Sequence, residues 1–334
     1  MYSKPFYHLR PNKFIDRHLF IQVLSGLHKM FNIENYQYIG FGSFMFDDFK
    51  IIHNQLGVSE MISLESDRTI YRRAEFNRPY KCITVQNKKS SFFIDNFSPK
   101  KHFIFWLDYS TSSELGEQFS EFSALVGTKM DHGDIVRITL NANPANLDDN
   151  DNKSIGEKKN QGQIHKNRIE KLRVRIQDHM PSDINEKDMS AKQYPIFLLT
   201  CLKRAANQAL TPSDYQKKYL FPLFSSVYAD GQQMVTLTAI VLNKKENEEK
   251  IRYCLAQYGD YVNYEFNKPC QIKVPDLTTK EIIHINSLLP TSNSIGQIKE
   301  KFDFVFKSDH GLADAIKSYV DYYKYYPNFH HVNL

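Results

Sequence analysis

The chain has 334 residues, 41% hydrophobic and 13% aromatic, with 43 lysines and arginines against 38 acids for a net charge of +5. That composition excludes an intrinsically disordered chain, and the length exceeds what one core usually fills, so a large α/β domain with an appendage is expected. No apolar run approaches the roughly 20 residues that cross a bilayer and the first dozen residues hold no continuous apolar stretch, which predicts a cytoplasmic protein with no membrane partner.

Taken in chain order, residues 14–30 place Phe14, Leu19, Phe20, Val23, Leu24 and Leu27 at helical spacing. Residues 36–42 are a short β-prone run ending in glycines, and 44–56 suit a helix that Gly57 stops. The alternation continues with a strand at 60–65, a helix at 67–77, a strand at 81–86, a doubly buried strand at 102–108, a helix at 113–130 and a strand at 134–140. Five strands with crossover-length connections predict an α/β fold with a mostly parallel, wound sheet.

From 141 to 190 the chain turns polar, with Asp148, Asp149 and Asp151 followed by Lys158, Lys159, Lys166, Arg168, Lys171, Arg173 and Arg175. Ile169, Leu172 and Ile176 would give this insertion a basic helix with one narrow apolar stripe. Its cations either meet water or contact an anionic partner, nucleic acid being the one expected for residues 158–175. A helix at 193–210 follows. The β-prone runs 234–242 and 251–257, joined by the charged stretch 243–250, predict a terminal antiparallel hairpin. A helix at 278–288, capped by a Thr or Asp, and a tail holding Tyr319, Tyr322, Tyr323, Tyr325 and Tyr326 predict a small helical subdomain. The expected division is therefore an N-terminal helical segment (1–35), a wound domain (36–260) and an aromatic-rich helical region (261–334).

Three features converge on one edge of that sheet. Gly40 and Gly42 close the first strand before a helix, where glycines let backbone amides approach an anionic group; a plain tight turn is the competing reading. Glu65 ends the second strand about 20 residues on, placed to accept hydrogen bonds from ribose hydroxyls, with Asp67 as the alternative or as a helix-capping acid. Asp108, followed by Tyr109, emerges from the apolar strand ending in WLDY. Asn87 and Gln86 leave the third strand at the same edge, and Asn141 leaves the fifth. Arg137 is expected either as an internal partner of Asp108 or as an exposed edge residue. His53, His330 and His331 are expected to be packing or surface residues. Cys82, Cys201, Cys254 and Cys270 are too scattered for a metal site, so no metal is expected.

With YIGFG, SLES and WLDY in these places, the chain resembles the class I S-adenosylmethionine-dependent methyltransferase superfamily over residues 36–257. It also looks like uncharacterised bacterial O-methyltransferase-like proteins with an RPNKFIDRHLF-type segment (10–20) and a YYKYYPNF-type tail (322–329). The resemblance implies a Rossmann-like methyltransferase sheet with S-adenosylmethionine as cofactor. It puts Gly40 and Gly42 beside the methionine part, Glu65 on the ribose, Asn87 or Gln86 near the adenine, and Asp108 with Tyr109 at the transfer site. Ile39 stands where the superfamily usually has an acid. That departure keeps a second reading open: a catalytically silent binding subunit of a larger bacterial assembly, such as an antiviral defence system. A nicotinamide-dependent enzyme is disfavoured by the hairpin. The substrate itself is not legible.

Overall fold

The computed structural model describes residues 10–148, 160–210, 218–259, 261–290, 295–300, 302 and 311–327. Asp149, Asp151, Lys158, Lys159, His330 and His331 lie outside them.

Helix α1 (Pro11–Phe31) opens on a proline, which the first helical turn accepts because its missing N–H would be unbonded there. Strand β1 (Gln37–Gly40) leads to α2 (Asp47–Leu56), whose first turn carries Asp47 and Asp48 toward the positive end of the helix dipole. Gly57 ends it at φ 72°, a left-handed cap that glycine adopts without strain. Then follow β2 (Glu60–Leu64), α3 (Arg68–Asn77), β3 (Ile83–Gln86), α4 (Ser90–Asn96), β4 (Phe103–Asp108), α5 (Leu115–Thr128) and β5 (Ile135–Asn141). The insertion folds as α6 (Gln161–Ile176), and Ile169, Leu172 and Ile176 are the stripe it turns to the core. After it come α7 (Tyr194–Ala209), β6 (Tyr219–Asp230), β7 (Gln232–Leu242), α8 (Glu246–Leu255), β8 (Cys270–Ile272), α9 (Thr279–Ser287), α10 (Ile295–Lys299) and α11 (Gly311–Tyr322).

The strand order is β3-β2-β1-β4-β5-β7-β6-β8. Strands β1 to β5 pair in parallel and β7 runs antiparallel to β5. This is the expected class I methyltransferase-like sheet, but its hairpin differs from the one expected. Strands β6 and β7 form it, turning at Gly231 (φ 102°), whereas residues 251–255 belong to α8. Ile251, Tyr253 and Leu255 alternate as a strand would, yet helical spacing puts Ile251 and Leu255 on one buried face and leaves Tyr253 85% exposed. Pro222 inside the β6 run argues against a strand when read locally, which is why that strand is missed.

Alternation along β5 separates two layers. Val136, Ile138 and Leu140 join the core with Phe119 and Phe122 of α5 and Leu198 and Leu202 of α7. Arg137, Thr139 and Asn141 face the other side. There the Trp106 indole N–H donates to Thr139 Oγ1 (3.0 Å), and the Ser226 and Thr236 hydroxyls bond at 2.8 Å. Helices α5 and α6 meet closely: a Cβ on Gly116 would collide with the Arg175 carbonyl oxygen, so only glycine permits the approach.

The chain divides into two compact units. The first comprises Met1–Leu19, Tyr228–Gly231 and Gln271–Leu334. Within it Asn12 donates through Nδ2 to the Ala229 carbonyl (3.1 Å) and accepts the Val274 N–H (2.8 Å). Ile285, Ile298, Ile316 and Tyr319 form its small core. Thr278 and Glu281 make a capping box at the start of α9. Tyr319 and Tyr322 are buried, so much of the tyrosine-rich segment serves packing. The second unit, Phe20–Val227 and Gln232–Cys270, holds α2 to α8 and strands β1 to β5 and β7.

Candidate functional site

Because β1, β2, β3 and β4 run parallel, Gly40, Glu65, Asn87 and Asp108 lie at or just beyond one edge of the sheet. The β1–α2 loop is the most constrained part of that edge. Ser43 (φ 49°) and Phe46 (φ 55°) are left-handed, a conformation that costs an L-residue about 1–2 kcal/mol. Buried aromatic packing holds it in place, with the Phe46 ring edge-on to Phe49 at 5.6 Å. The Gly42 N–H donates to Ser63 Oγ (3.1 Å), while the backbone N–H groups of Ser43, Phe44 and Met45 make no hydrogen bond within the described residues. Beneath the loop the Tyr38 hydroxyl donates to Asp48 Oδ2 (2.5 Å), tying α2 to β1.

Both glycines also have packing reasons. A Cβ on Gly40 would come within 2.9 Å of the Tyr38 hydroxyl oxygen. One on Gly42 would meet Phe46 Cδ1 at 2.8 Å, Ser63 Oγ at 2.8 Å and Phe49 Cε2 at 2.9 Å. Gly42→Ala is therefore expected to destabilise the protein by about 1–3 kcal/mol through overpacking, read as a lower urea midpoint. An unchanged midpoint would mean that the loop has room at this position.

At the end of β2 the two acids have separate tasks. Asp67 caps α3, its Oδ1 accepting the N–H groups of Thr69 (2.7 Å) and Ile70 (2.9 Å). Glu65 is partly exposed, and its Oε1 accepts the Asp67 N–H at 3.0 Å. Asn87 donates through Nδ2 to the carbonyls of Glu65 (2.8 Å) and Ser66 (3.1 Å), so it binds the two strand exits together. Asp108 is partly buried opposite Thr139 on β5. The Tyr109 ring lies 5.7 Å from that of Phe41, and its hydroxyl donates to the Glu121 carboxylate. Burial first, and the Glu121 charge second, push this phenol well above its ordinary range, so at neutral pH it holds its proton. Asn141 stays at the edge, donating to the Ser110 carbonyl (3.1 Å) and accepting from Asn146 Nδ2 (3.0 Å).

Arg137 is not an exposed edge residue. It is fully buried on the opposite strand position from Trp106, with its guanidinium carbon 4.6 Å from the Trp106 ring and 4.5 Å from the Phe20 ring. Its Nη1 donates to Thr238 Oγ1 at 2.7 Å. Cations of α6 are also engaged: Arg168 grips Asp148 with Nε and Nη2, Lys166 is 3.6 Å from Glu186, and Arg175 donates to the Ser112 carbonyl.

A cleft of 660 Å³ lies at the other edge of the strands, lined by Tyr36, Lys101, His102, Asp134 and Lys218 among others. Its His102–Asp134 contact (2.9 Å) is structural: Asp134 also accepts the N–H groups of Phe103 and Asp131, stitching the starts of β4 and β5. The hydrogen bond to Asp134 raises the His102 pKa. The carboxyl edge remains the better candidate, since wound sheets gather the loops after their strands there. Among the described residues no group of His, Cys, Asp and Glu could hold a metal, and no helix is long and apolar enough to cross a membrane.

Ser63, Tyr38, Asp48 and Glu121 were not legible as site supports. Ser63 carries one weak signal, its position two residues before Glu65 on an alternating strand. The others are joined to the edge only by tertiary contacts.

The model of a family described as "Putative O-methyltransferase" matches residues 5–334. No curated protein matches the chain. Among solved structures, one described as a putative O-methyltransferase from Klebsiella pneumoniae is similar at 9% identity, TM-score 0.37, over 72% of this chain and 92% of that one. A putative transferase from Pyrococcus horikoshii is similar at 10% identity and TM-score 0.36, over 63% of this chain. The match spans 59% of that protein's length. P. horikoshii TYW2, in complex with MeSAdo, is similar at 11% identity and TM-score 0.34, over 63% of this chain and 58% of that one.

Proposed function

This chain belongs to the family described as "Putative O-methyltransferase", and from that premise we propose that it transfers a methyl group from S-adenosylmethionine to an oxygen or nitrogen of its substrate at the carboxyl edge of β1, β2 and β4. The observation that carries the reading is the donor set there. The unbonded amides of Ser43, Phe44 and Met45 suit a carboxylate, and the partly exposed Glu65 suits a pair of hydroxyls. These groups fit the two ends of an amino-acid nucleoside.

When bound, S-adenosylmethionine supplies a methyl group on a cationic sulfur, so the protein's contribution is alignment in a dry cavity. In this reading the loop after Gly40 and Gly42 holds the methionine part and Glu65 holds the ribose. Asn87 and the Asp67 cap keep the β2 and β3 exits in register beside the adenine. Asp108 orients the acceptor group and takes its proton, while Tyr109, fixed by Glu121, flanks the transfer site. The chemistry is assigned to residues 36–260.

One observation favours the silent-subunit reading: both glycines are accounted for by packing against Tyr38, Phe46, Phe49 and Ser63. Calorimetric titration with S-adenosylhomocysteine separates the two. Binding is expected, and Glu65→Ala should weaken it by about 1.5–3 kcal/mol, the usual worth of a hydrogen bond to a charged group. No heat and no thermal shift with the intact protein would leave the silent subunit as the reading.

A further inference from the structure

We propose that the outer face of α3 is a docking strip for single-stranded nucleic acid, which makes such a strand the acceptor-bearing substrate. The second half of this inference rests on the methyl-transfer reading; the first half does not. Helix α3 has the sequence RTIYRRAEFN. Arg68, Arg72 and Phe76 stand at successive i, i+4 positions, so they share one face along about 12 Å of helix. All three are exposed, Phe76 to 90% of its surface. Next to them Arg73 lies with its guanidinium carbon 3.8 Å above the ring of Phe44, a residue of the glycine loop. The strip therefore touches the proposed cofactor loop. It also begins at the Asp67 cap, where β2 reaches the carboxyl edge.

What distinguishes these arginines is their lack of intramolecular work. Among the described residues none of Arg68, Arg72 and Arg73 makes a hydrogen bond or ion pair, although Arg73 has its ring contact. On α6 only Arg173 is in the same position, while Arg168, Lys166 and Arg175 are committed to Asp148, Glu186 and the Ser112 carbonyl. Mutually repelling cations around a large exposed ring match one kind of partner. Phosphates neutralise the arginines, and an unstacked base covers the phenylalanine. A duplex keeps its bases stacked and offers Phe76 nothing. An acidic polypeptide would satisfy the charges and leave the ring in water.

The test uses the full chain and the fluorescence anisotropy of a labelled 20-nucleotide single strand, made as RNA and as DNA, at two salt concentrations. A blunt duplex and polyglutamate serve as competitors. Both single strands are expected to bind, and the tighter of them identifies the source of the acceptor. Arg68→Ala with Arg72→Ala should lower the slope of log affinity against log salt by about 1.4, or 0.7 per lost phosphate contact. Phe76→Ala should weaken binding about tenfold or more. Lys166→Ala on α6 should leave binding unchanged. Binding that ignores both α3 changes, or competition by polyglutamate or duplex equal to that of the single strand, would overturn the proposal. The same samples are titrated with S-adenosylhomocysteine. Cofactor heat without strand binding overturns the docking strip alone. Strand binding without cofactor heat sustains the strip and overturns the methyl-transfer reading.

Discussion

Asp108→Asn is expected to leave the fold and most of the S-adenosylhomocysteine affinity in place while lowering methyl transfer about 10²–10⁴-fold, the usual span of a positioned acid or base. The amide is nearly isosteric with the carboxylate, so the edge of β4 keeps its register with β5, Asp108 remaining opposite Thr139. In the methyl-transfer reading, what it loses is the proton acceptor beside the reacting group. The measurement is transfer from radiolabelled S-adenosylmethionine, paired with calorimetry on the same preparation. Loss of cofactor binding would move Asp108 from the acceptor side of the cavity to the cofactor side. Normal turnover would remove it from the chemistry altogether. Tyr109 cannot stand in for it as a base, because burial beside Glu121 keeps its phenol protonated.

Arg137→Ala is expected to be the most destabilising single change in the second unit, costing about 2–5 kcal/mol in urea unfolding, as deletions of large core side chains do. The side chain is fully buried, lies against both the Phe20 and Trp106 rings, and bonds Thr238 across to β7. Alanine empties that volume and leaves the Thr238 hydroxyl without this donor. Arg137→Met should cost less, since an apolar chain of similar length refills the space without burying a charge. A loss below about 1 kcal/mol for Arg137→Ala would mean that the two rings close over the gap, as the spread of measured core deletions allows at collapsible sites.

Local rules made most of the wound sheet legible. Apolar runs such as the one in β4 suit doubly covered strands, and the alternation of strands with helices favours parallel pairing with the strand ends at one edge. That is why Gly40, Glu65, Asn87 and Asp108 gather at one edge in the sequence pattern alone. The stripe of α6 and the Thr278 cap of α9 were legible for the same reason, since periodicity and capping are short-range properties.

By itself, then, the sequence determined the five parallel strands, the edge at which they end and which family of folds can contain them. Only the tertiary structure decided what each side chain is bound to. Arg137 is buried because Phe20, Trp106 and Thr238 surround it from three separate elements. The hairpin went to β6 and β7 because Ile251 and Leu255 found a common buried face on a helix, a preference that alternation alone cannot express. The basic residues of α6 and α3 look alike in composition, yet Arg168, Lys166 and Arg175 meet carboxylates and a carbonyl while Arg68 and Arg72 face solvent. The physical reason is common to all of these: periodicity is written into neighbouring residues, whereas partners, and hence charge, strain and availability for a ligand, are set by groups that only folding brings together.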